Sequence, residues 1–320
     1  MVGMKSHLQI ALWAGSLMLL GAAPGFSQNN DQRGVGRAIV TLLPKHEGGS
    51  PLQLSEKDLT AKIGGSQATI TNWKPLRTSE DKLEFVLLID SSALTSLGTQ
   101  FNSIAHFING LPADTKASIA YMENGRAVLG GELSADHARV LRELHLPGGS
   151  SGSDANIYFC LSDLAKHWPS TDRSARREVL MVTDGIESYH QEFDPADPYV
   201  MAAIDDSIRA GMVVYSIFWQ NQGSADLATY ENSTGQTYLL ELAQATGGRS
   251  FWQGMGNPVS FVPFLDELTR RIQNQYELDF STHFEGKARI EVLKLKLKVP
   301  GTEVDAPQQV MVAQGAAAQM

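Results

Sequence analysis

The chain has 320 residues, of which 42% are hydrophobic and 19% are charged, a composition typical of a folded protein and not of a disordered one. Its net charge of −9 argues against nucleic acid as a partner. The single cysteine, Cys160, excludes an internal disulfide. Apolar neighbours at helical spacing predict that Cys160 is a buried core residue.

Residues 1–27 have the pattern of a signal peptide. Lys5 precedes an apolar run from Leu8 to Leu20, and small residues follow the run. This run is shorter than the roughly 20 residues that a membrane-spanning helix needs. We expect cleavage after Ser27 and a periplasmic or secreted product with no membrane span. A retained N-terminal anchor is the alternative.

The segment after the leader predicts a flexible start followed by a small β-element. Residues 28–37 are polar and rich in glycine, which indicates flexible chain. Residues 38–80 contain two β-prone runs, "LTAKI" and "ATITNW", separated by "GGSQ". A Gly-Gly turn between such runs is typical of a β-hairpin.

Residues 81–275 alternate between apolar strand patterns and amphipathic helix patterns. The continuous apolar run "LEFVLLID" is followed by a helical pattern. A second apolar run that ends on an aspartate occurs at "REVLMVTDG". Such alternation is typical of parallel sheets whose two faces are covered by helices. The prediction is therefore an α/β domain with a doubly wound, mostly parallel, Rossmann-like sheet of five or six strands, with "RAVLGGEL" as an edge strand.

Residues 276–312 return to β patterns, and residues 313–320 are expected to be a frayed tail. Leu293, Leu295 and Leu297 alternate with three lysines, but the alternation loses phase between Val292 and Leu293. A bulge, or a strand that changes faces, would produce this pattern. We expect these strands to pair with the N-terminal hairpin in one small β-subdomain.

Two aspartates mark the ends of predicted parallel strands. Asp90 begins a D-x-S sequence with Ser92, and Asp184 lies in "VTDG". In open α/β sheets ligands bind at the carboxyl ends of the strands, so these residues are candidates for a binding edge. The structural alternative is that each aspartate caps the helix that follows it.

These motifs carry a resemblance to the von Willebrand factor type A domain over about residues 83–275. The metal site of that family combines a D-x-S-x-S loop, a threonine before a later helix and an aspartate after the central strand. Asp90, Ser92 and Asp184 match it. The resemblance implies that Ser153 replaces the threonine, with Ser151 as the second choice. Leu94 stands where the second serine is expected, so the site is degenerate.

The leader and the flanking β-segments, with "NQYELDF", are similar to an exported bacterial group labelled VWFA-related. The resemblance implies a non-enzymatic protein-interaction module. A site of hydroxyls and few carboxylates suits Mg²⁺ or Mn²⁺. An open coordination position would then accept an acidic side chain of an unknown partner protein, as in the family.

Two other functions compete with this interpretation. The first is a metal-independent scaffold with the same fold. The second is a serine hydrolase, because "GGSSG" satisfies G-x-S-x-G with Ser150 as nucleophile, and Asp184 and His190 follow in hydrolase order. A nucleophile elbow requires a strand directly before it, whereas the preceding segment "ADHARVLRELHL" is predicted to be a helix. The sequence therefore favours the interaction module.

Overall fold

The computed structural model describes residues 33–45, 54–77, 81–147, 156–187, 189, 193–221, 229–299 and 301–315. These residues form two sheets, one of six strands and one of seven. The strands are β1 (Arg33–Pro44), β2 (Leu59–Ile63), β3 (Ser66–Pro75), β4 (Leu83–Asp90), β5 (Lys116–Glu123), β6 (Arg126–Leu129), β7 (Arg176–Thr183), β8 (Met212–Phe218), β9 (Ser250–Phe251), β10 (Gln275–His283), β11 (Arg289–Leu297), β12 (Thr302–Asp305) and β13 (Gln309–Gln314).

The helices flank the six-stranded sheet. They are α1 (Phe101–Gly110), α2 (His137–Val140), α3 (Ile157–Lys166), α4 (Pro198–Ala210), α5 (Thr229–Thr246) and α6 (Val262–Ile272). Within the part of the chain that the structure describes, none of them is both long and apolar enough to cross a membrane.

The six-stranded sheet has the order β6-β5-β4-β7-β8-β9. Strands β4, β5, β7, β8 and β9 are parallel, while β6 pairs antiparallel with β5 at one edge. The predicted α/β architecture is therefore present, but the sheet is mixed. Every residue of β4, β7 and β8 is buried, which explains the continuous apolar runs in the sequence.

Helices cover both faces of this sheet. Because side chains alternate along a strand, Phe85 and Leu87 of β4 pack with α1 and α6, while Val86 and Leu88 pack with α3, α4 and α5. Cys160 lies in the second of these two cores and is fully buried, as its neighbours predicted. Burial raises the pKa of its thiol to about 12.

The seven-stranded sheet is an antiparallel barrel built from both ends of the described chain. Its order is β10-β3-β2-β11-β13-β1-β12, and an additional pairing of β1 with β10 closes it. The β2–β3 hairpin turns at Gly64 and Gly65, which both have positive φ, as a two-residue hairpin loop requires. The predicted pairing of the N- and C-terminal segments is present, in a larger element than expected.

Several predicted boundaries differ from the structure. β1 begins at Arg33, so residues 33–37 of the predicted flexible start belong to a strand paired with β10. β13 extends to Gln314, two residues into the predicted tail.

The helix predicted in "ADHARVLRELHL" is limited to α2 and a short 3₁₀ turn. The Tyr121 hydroxyl accepts a hydrogen bond from the His145 N–H at 2.9 Å just beyond this turn.

The phase change in β11 comes from a change of partner strand. Residues from Arg289 to Val292 pair with β13, and those from Leu293 to Leu297 pair with β2 on the other side. Along these described residues the pairing shows no register shift, so the bulge predicted as one possible cause is wrong. Ile290 faces the helical layer, whereas Leu293 faces the barrel core, and these different surroundings account for the pattern.

A buried polar cluster joins the barrel to the amino edge of the parallel sheet. Glu178 on β7 is 0% exposed, and neither carboxylate oxygen has a hydrogen-bond partner among the described residues. Its nearest cation is Arg176, at 3.8 Å between Nη1 and Oε1. Arg176 also donates to Gln275 at the start of β10, whose amide donates to the Tyr215 hydroxyl at 3.1 Å. Burial raises the pKa of Glu178.

We predict that Glu178 makes the protein less stable as the pH rises. The unfolded chain loses the Glu178 proton near the ordinary pKa of 4.5, whereas the folded chain retains it to higher pH. The free energy of unfolding should therefore fall between these two pKa values. Glu178→Gln removes this pH-dependent loss, so the variant should gain stability relative to wild type as the pH rises above the ordinary pKa of 4.5. Urea unfolding across this range measures the difference.

The exposed Glu132→Gln provides the control, because its substitution should leave the pH profile of stability unchanged. Parallel profiles for wild type and Glu178→Gln would show that Glu178 has the same proton affinity in both states, contrary to this account.

Candidate functional site

The two aspartates singled out in the sequence lie at the same edge of the six-stranded sheet. Asp90 is the last residue of β4, and Asp184 directly follows β7, its parallel neighbour. Each is 1% exposed. The strand order reverses between β4 and β7, because β5 and β6 extend the sheet on one side and β8 and β9 on the other. Ligands of open α/β sheets bind at such a reversal point.

The Asp90 carboxylate accepts three hydrogen bonds. Oδ1 accepts from the Ser92 N–H at 2.9 Å and from the Ser92 hydroxyl at 2.6 Å, and Oδ2 accepts from the Thr183 hydroxyl at 2.9 Å. Burial raises the pKa of Asp90, while these hydrogen bonds oppose the rise. The two residues of the predicted D-x-S sequence, Asp90 and Ser92, are therefore in direct contact through the Asp90 carboxylate.

Thr183 is a site residue that the sequence interpretation did not identify. It ends β7, is fully buried and connects the two halves of the site, since it precedes Asp184 and donates to Asp90. The available signal was its place in "VTDG", directly before the aspartate at a strand end.

Asp184 begins a tight turn that depends on two glycines. Its Oδ1 accepts the Ile186 N–H at 3.0 Å, and Gly185 has φ of 75°. Gly235 of α5 packs against this turn so closely that a Cβ there would lie 2.2 Å from the Asp184 carbonyl oxygen. The close approach of α5 thus fixes the backbone that presents the Asp184 carboxylate.

A second polar group supports the same turn. Asn156 caps α3 by accepting the N–H of Tyr158 at 3.0 Å, and its amide donates to the buried Glu187. The Tyr158 hydroxyl donates to the Gly185 carbonyl at 2.7 Å. These contacts bring the N-terminal end of α3 against the Asp184 turn. The sequence interpretation missed all three supporting residues, since a cap, a tyrosine and a glutamate are common in any helix or loop.

The remaining predicted ligands lie outside the described residues. Ser153 and Ser151 belong to the undescribed segment of residues 148–155, which ends directly before Asn156. Ser150 of the hydrolase alternative belongs to the same segment, and His190 is also undescribed.

Leu94 has a structural role in the first loop. Its N–H donates to the Gln220 carbonyl at 3.1 Å, and its carbonyl accepts the Trp219 indole N–H at 3.3 Å. These contacts tie the loop to the end of β8. Thr95 is exposed and begins a 3₁₀ turn, whereas the Ser91 hydroxyl is buried with no hydrogen-bond partner among the described residues. Neither Thr95 nor Ser91 contacts Asp90 in place of a second serine.

The donor set fits a hard cation that keeps several waters. The carboxylates of Asp90 and Asp184 and the hydroxyls of Ser92 and Thr183 are oxygen donors at one edge. Among the described residues no group of three or more His, Cys, Asp or Glu side chains could hold a metal. A site here would thus be built from two carboxylates and hydroxyls, which suits Mg²⁺ better than Zn²⁺.

No protein-family model matches the chain, and no curated protein is significantly similar to it. Several solved structures are similar to the chain. An aerotolerance-related membrane protein from Bacteroides fragilis is 15% identical, with a TM-score of 0.43, over 59% of this chain and 98% of that chain. The conserved hypothetical protein BatB from Bacteroides thetaiotaomicron is 15% identical, with a TM-score of 0.44, over 59% of this chain and 97% of that chain.

A third similar structure is the manganese-loaded TRAP protein of Plasmodium vivax. It is 10% identical to this chain, with a TM-score of 0.41, over 75% of this chain and 97% of that one. All three TM-scores are below 0.5 and no identity exceeds 15%, so these similarities do not establish a family for the chain.

Proposed function

We propose that the chain is an exported, non-enzymatic interaction module of the von Willebrand A type. Its binding surface would be the carboxyl edge of the six-stranded sheet, where Asp90, Ser92, Ser153 and Asp184 hold Mg²⁺ or Mn²⁺. The observation that carries the proposal is the convergence of two buried aspartates at the point where the strand order reverses. Such an edge is where α/β sheets bind ligands.

The chemistry of the edge favours binding over catalysis. When bound, the cation would supply a positive centre with an open coordination position for an acidic side chain of the partner. The chain's own residues orient the ligands of the site. Ser92 and Thr183 hold the Asp90 carboxylate, and the Ile186 N–H holds that of Asp184. We assign the Ser92 and Thr183 hydroxyls to holding Asp90 and not to catalysis.

The proposal is tested by the metal dependence of partner binding. The mature protein serves as bait for exported proteins in Mg²⁺ and, in parallel, in a chelator. Asp184→Ala is the matched bait that lacks one ligand. We expect partners to be retained by wild type in Mg²⁺ and released by the chelator, and Asp184→Ala to retain none. Equal retention in all three arms would favour the metal-independent scaffold.

The serine hydrolase remains a separate alternative, and we predict that it is wrong. The described residues 144–147, directly before the segment that contains Ser150, do not form the strand that a nucleophile elbow requires. A fluorophosphonate probe should therefore leave the mature protein unlabelled. Labelling that disappears in Ser150→Ala would instead identify Ser150 as a nucleophile.

A further inference from the structure

The barrel carries a row of exposed lysines. Lys62 on β2 and Lys294, Lys296 and Lys298 at β11 are all exposed, and we name these four residues the lysine ladder. Among the described residues, Lys62, Lys294 and Lys296 have no carboxylate oxygen within 4.0 Å. The ladder is thus a concentration of positive charge on a chain whose net charge is −9.

The strand register increases the repulsion within the ladder. Lys62 and Lys294 are direct cross-strand partners in the β2–β11 pairing. Like charges in this position destabilise a sheet, because the two side chains share one face at close range. An anionic ligand that lies across both side chains would offset this repulsion. Binding of a negatively charged group to this surface is therefore favoured.

The backbone beside the ladder is also open. β11 pairs with β13 only as far as Val292, and beyond that point β2 lies on its other side. β13 and β2 lie on opposite edges of β11. Within the described chain, no strand pairs with residues 294–297 along the edge that faces β13 earlier in the strand. Unpaired strand edges can bind extended peptides through main-chain hydrogen bonds.

We propose that the lysine ladder and the open edge of β11 bind an acidic segment of a partner protein in extended conformation. Alternate residues of a strand lie roughly 7 Å apart on one face. An added peptide strand has the same repeat, so glutamates or aspartates at alternate positions match Lys294, Lys296 and Lys298. This surface lies on the barrel and does not involve the Asp90 and Asp184 edge, so its function does not depend on a metal.

Two competing roles for the ladder predict different binding results. Lysines beside an open edge can serve to prevent strand addition, in which case no acidic peptide should bind. A basic face can instead attract an anionic bilayer, in which case lipid vesicles should bind and a short peptide should not. The linear spacing and the adjacent open edge favour the peptide.

The test measures binding of labelled peptides to the mature chain by fluorescence anisotropy at low salt. The probe is Glu-Thr-Glu-Thr-Glu-Thr, with a peptide of the same composition but contiguous glutamates as the control for spacing. Lys294→Glu with Lys296→Glu is the test variant. Lys287→Glu, at an exposed lysine between β10 and β11 and outside the ladder, is the control. Because Lys294→Glu places a negative charge opposite Lys62, we expect the variant to remain folded, as its melting curve would show.

We expect the alternating peptide to bind saturably, more weakly as salt is added, and at least about tenfold more weakly to the double variant. Lys287→Glu should bind like wild type, and N-methylation of the peptide backbone should weaken binding. Absence of saturable binding, or equal binding by the double variant, would overturn the proposal. Binding to phosphatidylglycerol vesicles without binding to the peptide would also overturn it, in favour of a membrane surface.

Discussion

Gly235→Ala should destabilise the protein and disrupt the candidate site. The added Cβ would lie 2.2 Å from the Asp184 carbonyl oxygen and 3.1 Å from Gly185 C, distances at which backbone must move. Alanine normally stabilises a helix relative to glycine by about 0.5–1 kcal/mol, but overpacking costs typically about 1–3 kcal/mol or more. We therefore expect a net loss of stability, because the clash involves backbone and cannot be relieved by a rotamer change.

The matched control is Gly110→Ala at the end of α1, where an added Cβ would meet no atom within 4 Å. Thermal unfolding should show a lower melting temperature for Gly235→Ala and an unchanged or higher one for Gly110→Ala. Gly235→Ala should also lose any response to metal, since Asp184 is displaced. Equal melting temperatures for the two variants would contradict the close approach of α5 to the Asp184 turn.

Mg²⁺ or Mn²⁺ should raise the melting temperature of the wild-type protein, and Asp184→Ala should abolish the rise. A ligand that binds only the folded state adds about 2.7 kcal/mol at a hundredfold excess over its Kd. Asp184 supplies one of the two carboxylates at the edge, and its loss leaves too little negative charge to hold the cation. Melting curves with and without millimolar metal measure the effect.

Asp266→Ala is the control for this experiment, because Asp266 is exposed on α6 and does not belong to the site. It should respond to metal like wild type. An equal metal response in Asp184→Ala and wild type would place the cation elsewhere on the protein.

The sequence predicted the elements that depend on local pattern. The apolar run from Phe85 to Ile89 predicted a fully buried strand, and its end at Asp90 predicted a polar group at the sheet edge. The Gly64–Gly65 turn predicted the β2–β3 hairpin, because few other residues adopt the required backbone. These features follow from residues that are neighbours in the chain.

The pairing of N- and C-terminal β-segments was predicted, but most other features that depend on distant contacts were not. The closure of the barrel by β1 and β10 joins residues such as Arg33 and His283 from opposite ends of the chain. The pairing of Thr183 with Asp90 and the packing of Gly235 against Asp184 also require the folded sheet. No local pattern distinguishes such a threonine or glycine from others of its kind, so the candidate site was predicted only in its two aspartates and Ser92.

The most direct test of the central claim is a calorimetric titration of the mature wild-type protein with Mn²⁺, compared with Leu94→Ser and Asp184→Ala. Leu94→Ser supplies the hydroxyl that the resemblance expects, so it should bind more tightly than wild type. We predict one binding event in wild type, a stronger one in Leu94→Ser and none in Asp184→Ala. Binding by Leu94→Ser without binding by wild type would show that the native site is degenerate, and the metal-independent scaffold would then be the correct account.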